Sequence, residues 1–485
     1  MTNWHHKSAT TLLDAMAHGE VSSAELVSYF QERYARTNPG VNAIVATNFE
    51  KAHALAAEAD TARARGESWG PLHGLPMTIK DALEVAGMPA VGGAPMWANH
   101  RPTRHADAVQ RIVDAGAIIF GKTNVPFLSG DLQTYNDVYG TTNNPWDLNC
   151  GPGGSSGGAA AALAAGLTPL ELGSDIGGSI RTPAHLCGVF GHKPTYGIVP
   201  KRGHLPGPPG ALSESDLSVV GPLGLSAKDL DLLLGIVAGP NPAGAKAWQF
   251  ALPAPRATSP KGLRVAVWLD DPFCEIDEDT INLITHAARD LQAAGADVNF
   301  DARPEMSLEE MTEAYLTLLH SVVTQGMPEK VRDKWRTLLG TAAPDDLSHE
   351  VLQARGGLLS HSDWLVWHEK REQIRAKWAD FFQSYDVVLA PTLVRPAFPH
   401  DHTPNWSQRT LTVNGKERHY MDVLIWAGPA VLSYLPASVA PVGLSRDGLP
   451  IGVQIIGPYL EDRTTIAVAG MLEELNGGFR APPGF

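Results

Sequence analysis

Apolar and polar positions divide the chain into three stretches of different rhythm. Residues 8 to 18 and 22 to 36 carry helical spacing and are parted by Gly19. Ser22 and Glu25 fit a capping box that opens the second helix, and Leu26, Val27, Tyr29 and Phe30 follow at helical intervals. Residues 50 to 65 (EKAHALAAEADTARAR) form a further alanine-rich helix, after which Gly70, Pro71, Gly74 and Pro76 break the chain. From there to about residue 240 short apolar runs alternate with helical stretches. They include Met77-Thr78-Ile79, Ala117-Ile118-Ile119-Phe120 and Thr168-Pro169-Leu170-Glu171-Leu172. Strands alternating with helices predict a parallel or mixed sheet with helices on both faces. Ala159 to Ala165 is nearly all alanine, which suits a helix packed tightly in the core.

Residues 240 to 261 read as a surface linker. Leu263 to Trp268 is a strand candidate, and residues 277 to 294 an amphipathic helix. Residues 307 to 383 are mostly helical, with Trp335, Trp364, Trp367 and Trp378 as core aromatics. Tyr385 to Ala390 reads as a strand ending at Pro391-Thr392, residues 393 to 420 as loop, and Ala437–Val442 and Pro450–Gly457 as two more strands. There is no internal repeat. The reading is one domain over 1–485: a helical part to residue 70, a core over 71–240, a variable cap over 300–420, and a C-terminal part over 437–485 that returns to the core.

Composition narrows the class. With 485 residues, 44% of them apolar, the chain can bury a large core. No uncharged apolar run reaches the roughly 20 residues of a membrane span, and the first residues lack a signal-peptide pattern, so a cytoplasmic location is expected. A net charge of −14 disfavours nucleic acid and anionic membranes as partners. Cys150, Cys187 and Cys274 make no framework and no C-x-x-C pair, and read as free thiols. No metal and no cofactor is expected. A monomer and a homodimer both remain open.

The chemistry concentrates in Gly151-Pro-Gly-Gly-Ser-Ser-Gly-Gly158 and Leu172-Gly-Ser-Asp-Ile-Gly-Gly-Ser-Ile-Arg-Thr-Pro183. A phosphate-binding loop is excluded by the missing Gly-Lys-Ser/Thr ending. Gly153-Gly-Ser-Ser-Gly157 matches G-x-S-x-G, but Asn149 to Pro152 before it is loop and not the strand that a nucleophile elbow needs. A Ser-Ser-Lys system remains. Serine needs a base within reach, and a lysine serves only if burial keeps it neutral. Lys80 follows the apolar Met77 and Ile79, which suits a buried strand end.

These motifs resemble the amidase signature family. Gly74-Leu-Pro-Met-Thr-Ile-Lys-Asp81, Gly121-Lys-Thr-Asn-Val-Pro126, Gly140-Thr-Thr-Asn-Asn-Pro-Trp146, Gly191-His-Lys-Pro-Thr195, Tyr385-Asp-Val-Val-Leu-Ala-Pro-Thr392 and Gly448-Leu-Pro-Ile-Gly-Val-Gln454 carry the likeness along most of the chain. It implies an α/β fold with a large central mixed, twisted sheet covered on both faces by helices. It implies Ser179 as nucleophile, Ser155 (after a cis peptide bond) as proton shuttle and Lys80 as base. The backbone N–H groups of Ile176, Gly177, Gly178 and Ser179 would form an oxyanion hole. Ser156, Asp175 and Arg181 would brace the site, with Thr142 and Thr182 as weaker candidates. Ser129, Gly130, Asp131 and Gln133 would meet the substrate. Gly130-Asp-Leu-Gln-Thr-Tyr-Asn136 resembles nylon-oligomer hydrolases and urethanases of that family. The expected activity is therefore hydrolysis of aryl or alkyl amides and anilides, extending to carbamates and esters. The alternative is the amidotransferase A subunit, which acts as the glutaminase within a tRNA-dependent complex.

Overall fold

The computed structural model describes residues 3–205 and 207–485. Eleven strands form one mixed sheet, in the order Ile44–Thr47, Ile118–Thr123, Pro76–Lys80, Leu170–Asp175, Val219–Gly224, Phe190–Lys193, Ala437–Leu444, Pro450–Ile456, Val387–Pro391, Arg264–Val267 and Asp297–Asn299. Strands from near both ends of the sequence therefore share one sheet, and α-helices cover both of its faces, as the alternating pattern predicts.

The strand Pro76–Lys80 lies parallel to both neighbours, Ile118–Thr123 and Leu170–Asp175. Thr78 pairs with Glu171 and Ile79 with Leu172, so Lys80 and Ser174–Asp175 emerge at the carboxyl ends of adjacent parallel strands. That edge is where open α/β sheets place their binding crevices. The helix Gly157–Ala164 starts just beyond Ser155 and Ser156, and all its residues are buried. Its small side chains let it lie directly against the sheet. Gly173 serves the same end: a Cβ there would stand 2.8 Å from Ser156 Oγ.

Ser22 and Glu25 form the expected capping box. The helix runs Ser23–Val41, five residues past the expected end, with Pro39 inside its last turn. Four sheet strands fall outside the strands read from the sequence: Ile44–Thr47, Phe190–Lys193, Val219–Gly224 and Asp297–Asn299. The stretch read as loop over 393–420 contains a hairpin, Thr410–Val413 with Lys416–His419. Its turn, Asn414-Gly415, has φ of 50° and 77°. The left-handed turn that a two-residue hairpin favours is supplied by this Asn-Gly pair. The three cysteines are buried and free. Among the described residues, no helix is long and apolar enough to cross a membrane.

Candidate active site

Four lysines are buried: Lys80, Lys122 and Lys193, none more than 1% exposed, and Lys201 at 6%. Burial alone therefore does not single out a base. Their partners do. Lys122 Nζ donates to the carbonyls of Asp81, Leu83 and Pro89, and Lys193 Nζ to that of Pro194. Carbonyls only accept, so the three around Lys122 favour an ammonium, and the one at Lys193 offers no proton to its amine. Lys80 Nζ instead meets three hydroxyls: Ser155 Oγ at 2.6 Å, Ser156 Oγ at 3.0 Å and Ser174 Oγ at 3.0 Å. A hydroxyl can donate as well as accept, so it can bond to a neutral amine's lone pair. Burial draws the Lys80 pKa from 10.5 down to about 7, against the carboxylates of Asp175 and Glu171 that favour the ammonium.

The peptide bond Gly154–Ser155 is cis. Ser155 and Ser179 are 2% and 5% exposed. Ser179 is held beside this cluster through its main chain: the Ser156 N–H donates to the Ser179 carbonyl at 3.1 Å. Among the described residues no hydrogen bond joins the two hydroxyls of Ser155 and Ser179.

Asp175 organises the loop before Ser179. Its carboxylate accepts from the N–H groups of Gly178 (2.9 Å) and Ile180 (3.1 Å) and from Arg181 Nε and Nη2. Burial alone would raise its pKa; the Arg181 charge and these donors prevail and bring it to about 2. Arg181 continues to the Ala427 carbonyl and to Gln454. Gly178 sits at φ 96°, and a Cβ on it would come within 2.8 Å of Thr182 Oγ1. Because the Gly178 N–H is engaged by Asp175, the donors of this loop without a hydrogen bond among the described residues are those of Ile176, Gly177 and Ser179. Tyr315 supports the loop from the other side, donating its hydroxyl to the Ile176 carbonyl at 3.0 Å. Thr142 Oγ1 donates away from the site to the Asn42 carbonyl, and Thr182 Oγ1 is buried without a partner among the described residues.

The four residues expected at the substrate behave differently from one another. Ser129 has positive φ, and its buried Oγ has no partner among the described residues. Gly130 is exposed. Asp131 is not free. It accepts from Arg409 Nη1 at 2.6 Å and from the Tyr420 hydroxyl at 2.5 Å. Gln133 is engaged too, exchanging two hydrogen bonds with the main chain of Asp401. Both side chains thus bind the 401–420 segment, and the largely buried Asp131 carboxylate finds there the counter-charge it requires.

Sequence reasoning missed Ser174, His204, Tyr315, Arg409 and Tyr420. Ser174 stands within the Leu172–Pro183 motif and could have been taken from it. His204 Nε2 lies 2.8 Å from Ser174 Oγ, and nothing local in the sequence marks it. The other three come from the stretch whose site contacts the sequence left open.

The family model for Amidase matches residues 25–466. The chain belongs to the amidase family. The glutamyl-tRNA(Gln) amidotransferase A subunit from Synechococcus sp. (strain CC9902) is 34% identical, over 95% of this chain and 94% of that protein. Its namesake from Chloroflexus aurantiacus is 31% identical over 98% of each. Among solved structures, 6-aminohexanoate cyclic dimer hydrolase superposes with a TM-score of 0.79 at 28% identity, covering 100% of this chain and 99% of that one.

Proposed function

We propose that the protein is a serine hydrolase that cleaves amide C–N bonds through an acyl-enzyme on Ser179. The observation that carries this is the contact of a buried Lys80, its pKa drawn down to about 7, with three hydroxyls, Ser155 the nearest. In this reading Ser179 Oγ turns toward Ser155 as substrate binds. Ser179 attacks the carbonyl carbon while its proton passes to Ser155 and the Ser155 proton passes to Lys80. The N–H groups of Ile176, Gly177 and Ser179 receive the developing oxyanion. The intermediate collapses with cleavage of the C–N bond, and Ser155 returns a proton to the leaving nitrogen as Lys80 gives up its own. Water then attacks the acyl ester with the same relay reversed, and Ser179 is regenerated.

The substrate class in this reading is aryl and alkyl amides, extending to anilides, carbamates and simple esters. The likeness to 6-aminohexanoate cyclic dimer hydrolase supports a non-peptide amide among these substrates. Residues 300–420 act as the cap of the pocket, anchored by Asp131 and Gln133, within one domain spanning the chain. Turnover of a nitroanilide, a simple ester and an N-aryl carbamate tests the class, and failure on all three would overturn it. Ser179→Ala abolishes hydrolysis if the nucleophile is right.

A second reading is favoured by the identity to amidotransferase A subunits: a glutaminase that works within a tRNA-dependent complex. Glutaminase activity that arises only on addition of partner proteins would select it over the free-standing hydrolase.

A further inference from the structure

An uncharged amine has two hydrogens and one lone pair, and Lys80 faces three hydroxyls. For Lys80 to be a base toward Ser155, the lone pair must face Ser155 and both hydrogens must go elsewhere. Ser156 accepts one: its own hydrogen points to the Ser174 carbonyl at 3.3 Å, a group that only accepts, while its lone pair takes a Lys80 N–H. Ser174 decides the rest. Its Oγ has two polar neighbours, Lys80 Nζ at 3.0 Å and His204 Nε2 at 2.8 Å, and a single hydrogen to give. Donated to Lys80, that hydrogen occupies the lone pair which Ser155 needs. Donated to His204, it leaves Ser174 as acceptor of the second Lys80 N–H.

His204 is fixed in place for this task. The Glu84 N–H donates to the Gly203 carbonyl, the Leu205 N–H to the Ala82 carbonyl, and His204 itself bridges Leu83. The segment that leaves Lys80 thus holds the histidine main chain on both sides. Burial above all, with the charge of Lys80 while it is protonated and that of Lys201, brings the imidazole to about 3. In the tautomer that carries its hydrogen on Nδ1, the neutral imidazole presents a bare Nε2 to Ser174.

We propose that His204 is a positioning residue for the base: by accepting the Ser174 hydroxyl at Nε2 it turns the Lys80 lone pair toward Ser155. The proposal rests on the reading of Lys80 as base. His204→Leu fills the space and offers no acceptor; His204→Gln carries an amide oxygen that reaches the Nε2 position. 4-Nitrophenyl acetate is the probe, because its leaving group needs no proton and the burst reports acylation alone. At about pH 8.5, above the Lys80 midpoint, His204→Leu lowers the acylation rate constant about tenfold, the scale of one misdirected hydrogen bond, with the ester's KM within about twofold. His204→Gln recovers to within about threefold of wild type. In the His204→Leu/Ser174→Ala double variant the competing hydrogen is gone, and acylation is faster than in His204→Leu. A histidine that only supports packing gives the opposite: Leu and Gln equally slow, and the double variant slower than either. Either that result, or an unimpaired His204→Leu, overturns the proposal. Hydrolysis surviving in Ser179→Ala would instead overturn the underlying reading, whatever the His204 variants do.

Discussion

Replacing Lys80 with methionine removes the amine and keeps an unbranched side chain of similar reach. In the unfolded chain this lysine titrates near 10.5, and in the fold near about 7. Between those values the unfolded chain binds more protons, so the stability that depends on Lys80 rises with pH. Below the window both states hold the proton, and above it neither does, so the dependence flattens at both ends. Inside it the slope is about 1.4 kcal/mol per pH unit. From about pH 7.5 to about pH 9.5, wild type should therefore gain about 3 kcal/mol relative to Lys80→Met. Lys122 and Lys193 also titrate low, but both proteins contain them and they cancel in the difference. Urea midpoints at the two pH values, read with a shared m-value, give the quantity directly. Parallel stability curves for the two proteins would mean that Lys80 titrates normally, and the base assignment would fall with that result.

Gly178→Ala forces a Cβ to within 2.8 Å of Thr182 Oγ1 at φ 96° and should lower kcat about 10²-fold or more by displacing the oxyanion donors, with the fold retained by circular dichroism. Arg409→Met leaves the Asp131 carboxylate without its cation. With side-chain exposures of 2% and 18% for the pair, denaturant titration should show a loss of about 3 kcal/mol. The same variant should raise KM more than it lowers kcat, because the 401–420 segment loses its fastening. Tyr315→Phe removes the hydrogen bond to the Ile176 carbonyl and should slow turnover about fivefold while costing about 1 kcal/mol, read from kcat and from urea midpoints.

Local pattern carried the parts of the fold whose cause is local. The capping box at Ser22 and Glu25, the strand before Lys80 and the buried alanine helix all follow from neighbouring residues. Phe190–Lys193 and Val219–Gly224 escaped because they are rich in glycine, proline or polar residues and owe their strand conformation to sheet partners on both sides. The hairpin at Asn414-Gly415 was legible and overlooked. At the site, residues within a sequence motif were readable as neighbours: Lys80 meets Ser155 and Ser156, the Ser156 N–H meets the Ser179 carbonyl, and Asp175 meets Arg181. Those that act through tertiary contact were not. Nothing in the sequence says that Arg409 neutralises Asp131 across the fold, or that His204 returns to Ser174. The Asp131 carboxylate shows why: its ion-pair partner lies 278 positions away.

Acylation of Ser179 with a neutral lysine as base is tested most directly by rapid quench with 4-nitroacetanilide across pH, locating the acyl group by peptide mass. The group is expected on the peptide bearing Ser179, formed at a rate that rises through about pH 7 to a plateau as Lys80 loses its proton. Acylation at another residue, or a rate on Ser179 that stays flat from about pH 6 to about pH 9, would contradict that assignment.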